Sequence, residues 1–411
     1  YANIMFEIEG AQAYNSGEGE AEDVGIQAID EKTFEVKLSH PVPYFTSKMA
    51  HGTFYPQKQE FVEEMGDNYA KEDDALLYNG PFKLANWKHE SSYEYVKNEN
   101  YWNADSIKLD KVTFAIVKEA TTGVNLYETG EVDIAGLSQD LVDQYSDDPA
   151  FKTFPELVTF YLQFNLENDV LKNEKIRAAI AGGIDREAHA EIILNNGSTG
   201  AYGIVGPGVF GPEGADGPDF RTVYEEPKSA ESFEEAKQLL EEGMAELGLS
   251  EPPTIEYLTD DTEAARKTAE YLQEQLKQNI GLDLEINMQT FNARLDLERE
   301  GKYEMSMSGW GVDYNDPQSF LELFTTDSPF NDPGWSNERY DELIAIAQTS
   351  GNNEERFEAM AEAEQILIKE APIAPLYYRG RAYLWRDGIE GLTRAPYGVN
   401  FDFRWADIHR Q

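Results

Sequence analysis

From Thr254 onward the sequence alternates between the period of a strand and the period of a helix, and this succession limits the fold more than any other feature. Thr254-Ile255-Glu256-Tyr257-Leu258 reads as a strand, and Thr262 to Asn279 as a helix with Ala265, Ala269, Leu272 and Leu276 inward. Leu284, Ile286 and Met288 alternate as a second strand. A short helix, Phe291 to Glu300, leads to a third strand with Tyr303, Met305 and Met307 on one face. Strands separated by helices of this length predict a parallel sheet with right-handed crossovers. The third strand runs into Gly309-Trp310-Gly311-Val312-Asp313-Tyr314-Asn315-Asp316-Pro317. There a bulky aromatic, flexible glycines and a carboxylate leave the carboxyl end of a strand together, where open α/β sheets place their ligands. A turn around a buried Trp310 is the competing reading of the same residues.

A chain of 411 residues is long enough for at least two lobes with separate cores. Thr33 to Leu38 alternates strictly and predicts a half-buried strand, ended by Pro41 and Pro43. Residues 79–84, 93–96 and 112–117 predict a further β-rich stretch. Helical periods begin near residue 170. Ser232-Phe233-Glu234-Glu235 forms a capping box ahead of a helix whose Ala236, Leu239, Leu240 and Leu247 share one face. No apolar run reaches the roughly 18 residues that would span a bilayer. The start, Tyr1-Ala2-Asn3-Ile4, carries neither an initiator Met nor a signal peptide, so a processed or truncated product is expected.

Charge and composition exclude several classes of function. The 78 Asp and Glu against 34 Lys and Arg leave −44, which repels nucleic-acid phosphate and suits a saline or alkaline exterior. There is no cysteine, hence no disulfide, thiolate metal site or thiol nucleophile. The five histidines lack zinc spacing and are expected at surface or hinge positions. Gly206-Pro207-Gly208-Val209-Phe210-Gly211 matches a dinucleotide fingerprint in letters only: Pro207 and Pro212 forbid the helix it needs, leaving a Gly/Pro surface loop. Glu213, Asp216 and Asp219 cluster without an EF-hand pattern, so no metal or cofactor is expected.

Several stretches together resemble the oligopeptide- and dipeptide-binding family of ABC-importer solute-binding proteins. They are Asn79-Gly80-Pro81-Phe82-Lys83-Leu84 with Trp87, Asn100-Tyr101-Trp102, and Tyr127-Glu128-Thr129-Gly130-Glu131-Val132-Asp133. Asn165, Lys175 to Ile180, Ile184-Asp185-Arg186, Ala363 to Leu367 and Pro372 to Tyr378 complete the set in family order. The glycine-tryptophan segment leans toward the oligopeptide branch. The resemblance implies a large bilobal α/β periplasmic-binding-protein fold, type II-like, with a partial accessory lobe. Residues 1–56 would belong to the accessory lobe, 57–158 to main lobe I, 159–380 to lobe III and 381–411 to lobe I again. Relative to the family, roughly the first hundred residues are missing. Val158 and Gly311 stand where some members have a disulfide.

The function implied is capture of short peptides by hinge closure and delivery to the membrane permease of an ABC importer, by a monomer and without catalysis. Its place would be the extracellular face of the cytoplasmic membrane, lipid-anchored, or the periplasm. The hinge would lie near Phe160 to Asn165 and Tyr377 to Arg381. By resemblance Asp313 holds the peptide's α-ammonium, Trp310 and Phe291 wall side-chain pockets, Gly311 pairs with ligand backbone, Tyr1 is a cleft tyrosine, and Tyr378, in the closing motif, is a further ligand-binding residue. The family's carboxylate-gripping cations are replaced by Met307, Glu298 and Leu194. Arg294, Arg299 and Arg266 are nearby substitutes. A receptor for oligosaccharides and a carboxylate-dependent hydrolase are the alternatives, separable by the ligand's mass and by turnover.

Overall fold

The computed structural model describes residues 1–409, whose contacts divide into two units. One takes 56–156, 194–198 and the chain from Gly380 on; the other takes 1–55, 157–193 and 199–379. Residues 1–55, expected in an accessory lobe, thus cluster with 157–379. The chain passes between the units at Tyr55–Pro56, Ile193–Leu194 and Ser198–Thr199, at Glu156–Leu157, before the Phe160 to Asn165 stretch, and at Arg379–Gly380, inside Tyr377 to Arg381.

In the first unit β1 (Phe82–Lys88), β2 (Ser92–Lys97) and β3 (Lys111–Ala115) form an antiparallel sheet. Aromatic pairs hold its register: Tyr93 stacks on Phe114 at 4.5 Å and Tyr95 meets the same ring edge-on at 5.3 Å. Such pairs add about 0.5–1.5 kcal/mol each beyond area burial. Strand β4 (Ile134–Leu137) pairs antiparallel with Ala382 to Trp385. Buried Glu156 accepts from both Arg381 and Arg394, and the Arg394 guanidinium lies over the rings of Phe154, Tyr383 and Phe401.

The second unit is entered along β5 (Phe151–Phe164). Helix α1 (Glu174–Gly182) starts at Asn173, whose side chain accepts from the amides of Lys175 and Ile176. Helix α2 (Phe233–Leu247) starts at Ser232, which accepts from Glu235 N–H at 3.2 Å; the carboxylate of Glu235 reaches the amide of Glu231 rather than that of Ser232. Glycine lets α1 and α2 approach closely. A Cβ on Gly243 would stand 2.7 Å from Ile176, and one on Gly182 3.0 Å from Ala236. There follow β6 (Thr254–Asp260), α3 (Glu263–Ile280), β7 (Asp283–Gln289), α4 (Phe291–Arg299) and β8 (Met305–Gly311). As expected from the alternating periods, β6 runs parallel to both β7 and β8. Helices α5 (Glu338–Thr349) and α6 (Asn353–Glu370) precede β9 (Ile373–Trp385). The sheet order is β7-β6-β8-β5-β9.

The core of this unit joins Leu162, Ile176, Ile180, Leu240, Leu272, Leu276 and Met305, each such side chain contributing about 1.5–3 kcal/mol. Buried Arg177 is solvated by carbonyls, giving its N–H groups to Leu171, Lys172, Glu370 and Ala371 around the end of α6. Arg186 does the same to Ile184 and Pro375.

Three expectations need correction. The strand near Thr33 spans only Phe34–Val36, and Phe34 is 66% exposed, because only Val36 and Leu38 meet the small cluster around Val42 and Tyr44. The loop from Gly206 to Gly211 is superficial only in part: Pro207 and Gly208 are exposed, but Gly206, Val209 and Gly211 are buried, with Asp219 and Asn315 accepting the Gly208 and Phe210 N–H groups. His189 is not at the surface either. It is fully buried, its pKa pulled down to about 4 by desolvation and then by Arg186, and its Nε2 lies 3.1 Å from Thr268 Oγ1.

Candidate functional site

Strand β8 has one occupied edge and one that is largely open. It pairs with β5 along its whole length, from Met305↔Phe164 to Gly311↔Val158, but with β6 only at Met305 and Ser306. The Val312 N–H donates to Leu157 O at 3.0 Å and the Asn165 N–H donates to Glu304 O at 2.9 Å. Antiparallel alternation therefore turns the N–H and C=O of Ser306, Ser308 and Trp310 toward β5. Those of Met307, Gly309 and Gly311 point to the other edge, which has no strand partner past Ser306 among the described residues. Such an edge is a template for an added strand. The indole Nε1 of Trp310 is buried with no partner among the described residues, and its ring meets Phe330 edge-on at 5.0 Å.

The segment after β8 is anchored on a buried ionic cluster. The Asp313 N–H donates to Ser319 Oγ at 2.9 Å, and the side chain is 17% exposed. Tyr314 is fully buried, stacked on Tyr44 at 5.2 Å and 9°. Lys48 lies 5.0 Å from the Tyr314 ring centroid and bonds Glu7 at 2.5 Å. Asn315 Oδ1 accepts from Phe210 N–H at 2.8 Å, and Arg356 Nη2 donates to both oxygens of Asp316 at 3.2 Å. Desolvation pushes the Asp313 and Asp316 carboxyls up, opposed by His51 and Arg356 respectively. The short helix Gln318–Leu321 continues the segment.

Residues 3–332 match the bacterial extracellular solute-binding proteins, family 5 (middle). The dipeptide-binding protein DppE of Bacillus subtilis is 36% identical over 407 residues, 99% of this chain and 74% of that protein. The chain belongs to this family. The oligopeptide-binding protein OppA of the same organism is 32% identical over 403 residues, 95% and 72% of the two chains. The structure of Listeria monocytogenes OppA bound to peptide superposes with a TM-score of 0.87 at 35% identity, covering 100% of this chain and 80% of that one. The α/β fold is thus that of the bilobal periplasmic binding proteins. No helix among the described residues is long and apolar enough to cross a membrane.

Within this family frame, the structure gathers some of the expected site residues and separates others. Met307, Trp310, Gly311 and Asp313 lie in sequence along and beyond the open edge. Gly311 faces Val158 directly, and a Cβ on it would meet Val158 Cγ2 at 3.1 Å; its small size makes room for β5. Tyr1 is 64% exposed, its ring 5.4 Å from His51, itself 3.6 Å from Asp313. Phe291 is 58% exposed at the start of α4, with the Arg294 guanidinium 5.3 Å from its ring. Arg294 is buried and forked between Asp260 at 2.7 Å and Glu298 at 2.6 Å, so its charge is already matched. Arg299 is exposed, 3.7 Å from Asp296. Tyr378 is buried, its hydroxyl donating to Gly203 O at 3.0 Å, which fixes the loop through Gly206. The sequence reading missed Glu7, Lys48, Arg356 and Glu322. Only Glu322 carried a local signal, an acid inside the apolar run Phe320-Leu321-Glu322-Leu323-Phe324.

Proposed function

We propose that the chain captures short peptides by adding them as a strand to the open edge of β8, with Asp313 holding the ligand's α-ammonium. The carrying observation is the conjunction of that edge with a mostly enclosed carboxylate two residues beyond it. Backbone pairing to Met307, Gly309 and Gly311 ignores side-chain identity, and a fixed ammonium sets the register. Trp310 and Phe291 offer apolar walls to side chains. Tyr1 borders the ammonium end through His51. With Arg294 committed to two carboxylates, Arg299 and Arg266 are the substitutes left to meet the ligand carboxylate. The names of DppE and OppA and the peptide in the Listeria structure support this ligand class. The chain would act as a monomer, lipid-anchored at the extracellular face or free in the periplasm, handing cargo to the permease of an ABC importer, with no turnover.

Calorimetry tests it. Asp313→Ala leaves the ligand ammonium in a desolvated place without its counter-charge, at about 3–5 kcal/mol, so affinity for a free-amine peptide falls on the order of 10²-fold or more. An N-acetylated peptide binds the wild type poorly. Equal affinity of wild type and Asp313→Ala for the free-amine peptide refutes the assignment.

A further inference from the structure

His51 lies outside the strand that carries the site, yet its Nε2 stands 3.6 Å from Oδ1 of Asp313. That distance is too long for a hydrogen bond and short enough for a strong electrostatic effect in a partly enclosed place. The local backbone determines which nitrogen carries the proton. His51 caps the 3-10 turn Gly52–Phe54, and its Nδ1 accepts the Thr53 N–H at 3.3 Å, with Thr53 Oγ1 at 2.9 Å. A ring nitrogen that accepts an N–H bears no proton, so the neutral imidazole carries its proton on Nε2. In the doubly protonated ring Nε2 bears one as well, and Nδ1–H can turn to Thr53 Oγ1. In both states a positive pole faces the carboxylate.

Asp313 needs such a pole. Desolvation works against its charge, and the side chains that favour the charge are His51 first, then Lys48. Lys48 is already bonded to Glu7 at 2.5 Å. The imidazole is 23% exposed and leans on the Tyr1 ring at 5.4 Å and 36°, so its position is restrained from both sides. We propose that His51 is the positioning residue of the ammonium site, keeping the Asp313 carboxylate ionised and oriented before the ligand arrives. This rests on the peptide-receptor reading, and it assigns a part of the recognition chemistry to the N-terminal 55 residues rather than to β8.

The test measures affinity of the full chain for trialanine and N-acetyl-trialanine by calorimetry between pH 5 and pH 8. An acid limb is expected for trialanine, because protonating Asp313 removes the counter-charge for the ammonium. His51→Phe keeps a ring and removes the N–H. It should weaken trialanine about tenfold near pH 6 and move the acid limb to higher pH, because the carboxylate loses its main support. N-acetyl-trialanine should be unaffected. His51→Gln, which restores an N–H donor, should recover part of the loss, and an unchanged melting temperature separates these effects from misfolding. An acid limb that His51→Phe leaves in place, or an equal loss for both peptides, overturns the inference. If Asp313→Asn leaves trialanine affinity unchanged, or wild type does not bind it, the peptide-receptor reading falls and takes this inference with it.

Discussion

Replacing Glu322 by Gln should make the protein more stable, and only above mildly acidic pH. The residue keeps some surface, but its carboxylate is enclosed, with the Tyr314 hydroxyl 3.3 Å away. Desolvation pushes its pKa up from 4.5 to about 7, with Lys48 opposing and Glu7 assisting the rise. A difference of that size between folded and unfolded chains corresponds to about 3 kcal/mol. The folded state binds this proton more tightly than the unfolded state does. The resulting stability is fully present below about pH 4.5 and is lost as pH climbs through about 7. Gln has the shape of the protonated acid and nothing to ionise. Urea unfolding of both proteins should therefore show little difference near pH 4.5 and a gain for Glu322→Gln approaching 3 kcal/mol, to order of magnitude, by pH 8. Other carboxyls with raised pKa, Asp316 and Glu364 among them, are common to both proteins and cancel in the difference. A difference that stays constant from pH 4.5 to pH 8 refutes the reasoning.

Two further outcomes follow from the same charges. Lys48→Met leaves the buried Glu7 without its ammonium and should cost about 3–5 kcal/mol in urea unfolding, much of it returned by adding Glu7→Gln; no recovery in the double variant would disprove the pairing. The net −44 should make the melting temperature rise with NaCl between 0.1 M and 1 M, as the Debye length falls from about 10 Å to about 3 Å; a flat or falling curve would remove self-repulsion as a factor.

The alternating part of the fold was legible because its signals are local. Leu272 and Leu276 fall four apart on α3 and both reach the core, and the β6 and β7 periods place their strands in continuous parallel register. The Thr33 strand shows where that logic stops. Alternation establishes that Phe34, Val36 and Leu38 share a face, yet burial needs something opposite, and the cluster around Tyr44 extends only to Val36 and Leu38. The Gly206 loop fails in the other direction. Its Gly and Pro content correctly denies a helix, but composition cannot reveal that Asp219 and Asn315 wait to accept its amides.

The site divides along the same line. Asp313, Trp310 and Gly311 of the proposed site stand in one stretch, at the end of β8 and just beyond it, which is why a local reading could single them out. The groups that set the electrostatic state of Asp313 come from 262 and more positions upstream, His51 and Lys48, and no local pattern distinguishes them from the 34 Lys and Arg or the five His of the chain. Lys48 serves Glu7 directly while also acting on Asp313, Asp316 and Glu322, so one ammonium is shared among four carboxyls. With Arg356 it supplies two positive charges to that set, and the cluster relieves the excess by letting Glu322 hold its proton near neutrality. In the function proposed above, Asp313 is the place where a ligand's ammonium would supply the missing charge.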